Sequence, residues 1–183
     1  MVQVIAFLIG SAGLIYISRA SLRAPRSHGF YRFFAWKCIL ALFLLNSDVW
    51  FQTPLAWHQL ISWCLLALCL VPLILGVRTL RSRGQPTAQR AGESQLLAFE
   101  KTSILVTSGI YHYIRHPLYS SLLLLTWGIF FKSLTWPGFV LAVAASLCLF
   151  ATARADEAEC LHFFGEPYQD YMKRSKRFVP FVF

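Results

Sequence analysis

Five stretches of this chain are almost free of charge, and each approaches the length that carries a helix across a bilayer. They run Val2–Ser18, Phe33–Trp50, Leu60–Val77, Leu118–Phe131 and Pro137–Ala153. A membrane helix needs about 20 mostly apolar residues, with a range near 17–25. The fourth stretch is short and is expected to extend at both ends. Lys37 falls early in the second, where its long stem would let the ammonium snorkel to the interface. Trp50, Trp57, Trp127 and Trp136 sit near stretch ends, the usual place for interfacial tryptophan. Charged residues make up only 14% of the chain, against roughly 25% in a soluble domain. Most of the surface therefore does not face water.

The expected fold is all-α: a polytopic membrane helix bundle of about five transmembrane helices with a cytoplasmic C-terminal helical tail. One domain suffices. Residues 1–77 would hold three spans, 78–117 a cytoplasmic loop, and 118–183 two spans and a cofactor-binding tail. Met1–Ser18 has neither a basic leading region nor a small-residue cleavage site, so it reads as a retained span. The stretch Arg81–Glu93 is rich in Arg, Gly, Gln and Pro and reads as a mobile loop.

The net charge of +9 raises nucleic acid as a partner. The basic residues, however, flank the apolar runs. Counted by loop, 16 of the 17 Lys and Arg fall on one side and only Lys132 on the other. The positive-inside rule places the 16 in the cytoplasm, with the N-terminus outside and the C-terminus inside. The expected partners are the lipid bilayer and a lipophilic or lipidated acceptor, with no nucleic acid and no metal. The location is a bacterial inner membrane or endoplasmic reticulum. Cys38, Cys64, Cys69, Cys148 and Cys160 lack zinc-type spacing and read as buried small hydrophobes.

Two polar clusters remain, both on the basic side. In the first, Gly109 permits a tight turn and Pro117 suits the first turn of the fourth span. Arg115 and His116 then stand at a helix N-terminus, whose unpaired N–H groups favour an anion; contact with lipid phosphate is the bland alternative. In the second, five of the eight acidic residues lie between Asp156 and Asp170. Asp156 and Glu157 at the end of the fifth span need a reason to be there, either Arg154 as partner or a ligand. Gly165 and Pro167 break the helix and restart a short one. Phe164, Tyr168 and Tyr171 can lay an aromatic stripe against the span ends. His112 and His162 read as surface or packing residues, and His28 and His58 carry no signal.

The run LVTSGIY followed by RHPLY, with DE…FFGEPYQDY…PF further on, resembles the isoprenylcysteine carboxyl methyltransferase family. That family sits among small membrane methyltransferases that include phospholipid N-methyltransferases. The resemblance covers about Ser103–Phe183. It implies methyl transfer from S-adenosylmethionine to a lipophilic or membrane-associated acceptor. It also implies cofactor contacts from Ser103, Ile104, Leu105, Val106, Tyr111, Arg115, His116, Pro117, Leu118, Tyr119, Asp156 and Glu157. Where the family has Glu-Glu, this chain has Asp156-Glu157, and Thr152 stands where the prenylcysteine enzymes carry a substrate-contacting Arg. Arg154 and Glu157 are the residues expected to act on the chemistry, Arg154 by orienting an acidic acceptor. The alternatives are an NADPH-using membrane reductase of the sterol-reductase type and a non-catalytic membrane scaffold.

Overall fold

A computed structural model describes residues 1–84 and 104–180. Seven α-helices follow one another: α1 Val2–Leu22, α2 His28–Leu45, α3 Trp57–Leu68, α4 Leu70–Arg83, α5 Pro117–Phe130, α6 Trp136–Phe164 and α7 Glu166–Arg174. Among the described residues there is no strand, only an isolated parallel bridge between Ile114 and Lys176. The fold is an all-helical bundle, and its exposed side chains include many large apolar ones along α1, α3 and α4. In water such a surface would be an aggregation liability; in hydrocarbon it is the matching solvent.

Four helical stretches are long and apolar enough to cross a membrane: Val2–Leu22, His28–Leu45, Trp57–Arg83 and Trp136–Phe164. The fifth apolar helix, α5, has only 14 residues and the expected extension does not occur. At 1.5 Å per residue it is about 21 Å long, short of the roughly 30 Å of hydrocarbon core. Upstream, the chain before Pro117 is drawn into pairing with the C-terminal tail. Downstream, α5 caps at Phe131 and Thr135 N-caps α6, accepting from the Gly138 N–H.

Three other boundaries shift for local reasons. The second span begins at His28 rather than Phe33, because Ser27 N-caps it and accepts from the Phe30 N–H at 3.2 Å. It ends at Leu45, where Asn46 is buried and donates to the Ile129 carbonyl at 3.0 Å. The third span is interrupted at Cys69. Pro72 explains this: it lacks an N–H for the Leu68 carbonyl, and its ring crowds that same group. The fifth span runs on past Ala153 to Phe164, where Gly165 takes a φ of 64° and stops it. Lys37 does not snorkel outward. Its Nζ donates to Ser11 Oγ on α1 and lies 4.1 Å from the centre of the Phe7 ring.

The bundle is centred on α2 and α6, which pack against each other along much of their length, with α1 on α2 and both α3 and α4 on α5. Ile39, Leu42, Ile129, Phe130, Ala142 and Ala145 form the main core cluster. The 29 residues of α6 span about 43 Å at 1.5 Å per residue. Its last turns therefore project beyond the apolar layer, and they carry Asp156, Glu157, Glu159 and Cys160.

Candidate active site

The site begins with a turn. Gly109 takes a φ of 63° and opens a short 3-10 segment, Gly109–His112. A Cβ there would come within 3.0 Å of Thr79 Oγ1 on α4. From this turn the chain runs extended through Ile114 to His116 and pairs with the returning tail. The Arg115 N–H donates to the Lys176 carbonyl at 2.7 Å, the His116 N–H to Arg177 at 3.1 Å, and the Lys176 N–H to Tyr113 at 3.0 Å. Tyr171 on α7 adds a 2.6 Å bond from its hydroxyl to the Tyr111 carbonyl.

Glu157 bolts this arrangement to α6. Arg177 grips its carboxylate in a bidentate pair, Nε to Oε1 at 3.0 Å and Nη2 to Oε2 at 2.7 Å. Arg115 Nε donates to Oε1 at 3.0 Å, while its Nη1 donates to the carbonyls of Met172 and Ser175. His116 Nε2 lies 3.3 Å from the same Oε1. One buried carboxylate thus ties the approach to α5, the end of α6 and the tail. The Arg177 guanidinium is pushed up by its bonds to Glu157 and stays charged.

Asp156, one residue earlier and about 100° around the helix, faces elsewhere. It borders a cavity between α2, α4, α5, α6 and α7. Tyr119 donates its hydroxyl to Asp156 Oδ2 at 3.2 Å, and His116 Nδ1 stands 3.5 Å from the same atom. The His116 ring stacks on Tyr119, with centroids 5.3 Å apart. Burial alone would lower the His116 imidazole. The hydrogen bonds and charges of Asp156 and Glu157 outweigh burial and leave it raised. Cations and carboxylates alternate here, and the mouth of α5 adds its own polarity: Pro117 has no N–H, and the first helical bond in this turn is Ser120 N–H to the His116 carbonyl at 3.0 Å. N–H groups in the first turn of a helix have no partner within it, which gives this mouth a positive character.

Leu105, Val106, Tyr111, Arg115, His116, Pro117, Leu118, Tyr119 and Asp156 all line the cavity. Ile104 is exposed and does not, and Ser103 lies outside the described residues. Most of the loop expected over 81–93 is outside them too; Arg81–Arg83 closes α4 instead. Glu157 sits behind the cavity wall, occupied by its three cationic partners. Arg154 is exposed. Two residues from Asp156 on one helix, it points about 200° away from that residue, and the structure does not bring it to the cavity.

Other lining residues lie outside the contacts that the resemblance implies. Phe164, Tyr168 and Tyr171 bring the aromatic stripe into the cavity wall, and Leu80 and Cys160 complete it. Burial pushes the Tyr168 and Tyr171 phenols up, so they present neutral faces. The remaining lining residue is His28, at the start of α2. Its Nδ1 is 2.6 Å from Glu159 Oε2, and its backbone N–H donates to Glu159 Oε1 at 2.8 Å. The available signals were Ser27 as an N-cap, which puts His28 on the boundary level, and the third carboxylate of the DEAE run.

The two polar clusters, far apart in sequence, thus share one cavity at the end of the bundle. Residues 88–166 match the family model for phospholipid methyltransferase. The resemblance read from the sequence falls within that same family. The match includes Leu105–Tyr119 and Asp156–Phe164, which supply most of the cavity lining, and it supports a membrane methyltransferase. Comparison with curated proteins and with solved structures returns no match.

Proposed function

We propose that the protein transfers a methyl group from S-adenosylmethionine to a lipophilic or membrane-associated acceptor. The observation that carries this reading is the cavity itself: a carboxylate with spare acceptor capacity, an anion-attracting helix mouth and an aromatic wall, all at the edge of an apolar bundle. The cofactor is a zwitterion with an adenosine and a sulfonium, and the donor set fits it. Among the described residues Asp156 Oδ1 is approached only by Cys160 Sγ, at 3.7 Å, which leaves it able to accept from an ammonium or from ribose hydroxyls. The mouth of α5, where Leu118 lines the cavity, suits a carboxylate. Tyr111, Phe164, Tyr168 and Tyr171 offer faces to the adenine and to the sulfonium, the latter a cation–π contribution of about 0.5–2 kcal/mol.

When bound, the cofactor supplies an electrophilic methyl group. The protein's part is to hold donor and acceptor in line, an effect that in principle is worth roughly 7–11 kcal/mol, and to keep water out. Glu157 is a positioning residue in this scheme, fixing Arg115, His116 and the tail. Arg154, outside the cavity, is assigned to an acidic headgroup of the acceptor at the bilayer boundary. The positive-inside rule applied to the basic loops supports a cytoplasmic position for this end of the molecule, with the acceptor entering from the inner leaflet.

The test is cofactor binding by titration calorimetry on the purified protein and on Asp156→Ala. Loss of a hydrogen bond to a charged group, about 1.5–3 kcal/mol, predicts affinity roughly 10- to 100-fold weaker in a variant that still unfolds cooperatively. Equal affinities would remove Asp156 from the site. Incubation with methyl-labelled cofactor and a total lipid extract then identifies the acceptor.

A further inference from the structure

His28 is only 1% exposed, and its Nε2 is a buried side-chain nitrogen with no hydrogen-bond partner among the described residues. Burying such an atom unsatisfied costs about 1–3 kcal/mol, so its persistence asks for an explanation. His28 lines the same cavity as Asp156, Tyr119 and His116. Its other nitrogen is not free to choose a role. Glu159 Oε2 at 2.6 Å is an acceptor, so Nδ1 carries the proton. In the neutral ring Nε2 is then a bare lone pair. A second bond from the His28 backbone N–H to Glu159 Oε1, at 2.8 Å, fixes the carboxylate. A carboxylate that sets the tautomer of a histidine and offsets the charge it acquires is the working part of a general-base dyad.

The geometry points to His28 as the base that deprotonates the acceptor, with Glu159 as its positioning residue. This rests on the methyltransferase reading above and adds a chemical requirement to it: the reacting atom of the acceptor carries a proton, as an amine, thiol or hydroxyl does and a carboxylate does not. As the new bond from that atom to the methyl carbon forms, the sulfur–methyl bond breaks with its electron pair onto sulfur. Nε2 takes the proton the acceptor atom gives up, and Glu159 balances the imidazolium. Solvent at the cavity mouth then removes the proton. A base at the first helical residue lies level with Asp156 and Glu159, which stand beyond the apolar part of α6.

Two variants test this. In His28→Asn the side-chain NH₂ takes the place of Nδ1 and keeps the tie to Glu159, while Nε2 is gone. His28→Ala leaves a hole that free imidazole can fill. The assay is methyl-labelled S-adenosylmethionine with total lipid extract, alongside cofactor affinity by calorimetry. The expected result is cofactor affinity within about twofold of the parent in both variants. The turnover number falls by roughly 10²-fold or more, and added imidazole restores turnover in His28→Ala in a saturable way. Parental turnover in His28→Asn overturns the assignment and leaves a carboxylate-type acceptor. Loss of cofactor affinity overturns it in favour of a ring that holds the donor. Loss in both variants without rescue overturns it in favour of a packing role. If the parent itself binds no cofactor, the methyltransferase reading fails first.

Discussion

The two ends of the bundle bury polar groups to opposite effect. At the end away from α7, Lys132 is 1% exposed. Its Nζ donates to Gln59 Oε1 at 3.0 Å and lies 3.1 Å from the centre of the Trp63 ring, with Trp50 at 5.1 Å. Gln59 Nε2 in turn donates to the Lys132 carbonyl at 3.1 Å. Asn46 and Ser62 donate to the carbonyls of Ile129 and Gly128 on α5. This network closes on itself and staples the ends of α2 and α3 to the end of α5. At the other end, Glu157 closes a comparable network, but beside it Asp156 keeps acceptor capacity, and His28, whose Nε2 has no hydrogen-bond partner among the described residues, lines a cavity. Buried polar groups that are fully satisfied hold helices together. Those left incomplete next to a void mark where a ligand belongs.

The largest effect that would sharpen this contrast is at Glu157. Glu157→Ala removes the carboxylate that Arg115 and Arg177 share, and breaking a buried ion pair costs about 3–5 kcal/mol. The tail after Ser175 should detach and become a site of proteolytic cleavage, with the melting temperature falling together with cofactor binding. A protease-resistant tail in this variant would mean the bolt is not Glu157.

Next is Lys132→Met at the closed end. It leaves Gln59 Oε1 without its donor, a loss of about 1–3 kcal/mol. Thermal unfolding in detergent should register it while cofactor affinity stays at the parental value. A change in cofactor affinity would show that the two ends are not independent.

The smallest effect is a pH dependence confined to the open end. The folded-state imidazole of His116 lies above its ordinary value of 6.5. A group raised on folding stabilises fully below its unfolded value and loses that contribution as pH climbs through the folded one. The melting temperature of the parent should therefore decline as pH passes above the raised value, and His116→Gln should flatten the decline. Superimposable profiles for the two proteins would detach His116 from the carboxylates that flank it.

Much of this was legible because the bilayer imposes one-dimensional rules. Helical content, the positions of the apolar runs, the stop at Gly165, the restart at α7 and the turn at Gly109 each depend on hydropathy or on one residue's backbone preference. So did most of the cavity, since Leu105–Tyr119 and Asp156 announce themselves as polar or aromatic residues at a span boundary. Lys37 shows the limit: the sequence suggested an ammonium reaching outward, but α1 offered Ser11 and Phe7 closer by.

What the chain alone determined, then, is that it crosses a membrane in helices and concentrates its charge at one end, because burial against lipid is decided residue by residue. Only the packed structure decided which charges are spent on each other. Glu157 and Asp156 are neighbours in sequence, yet 100° of helix separates a carboxylate saturated by two arginines from one that faces the cavity. His28 lies 131 positions from Glu159, and nothing in either local sequence states that α2 and α6 bring them within hydrogen-bonding reach.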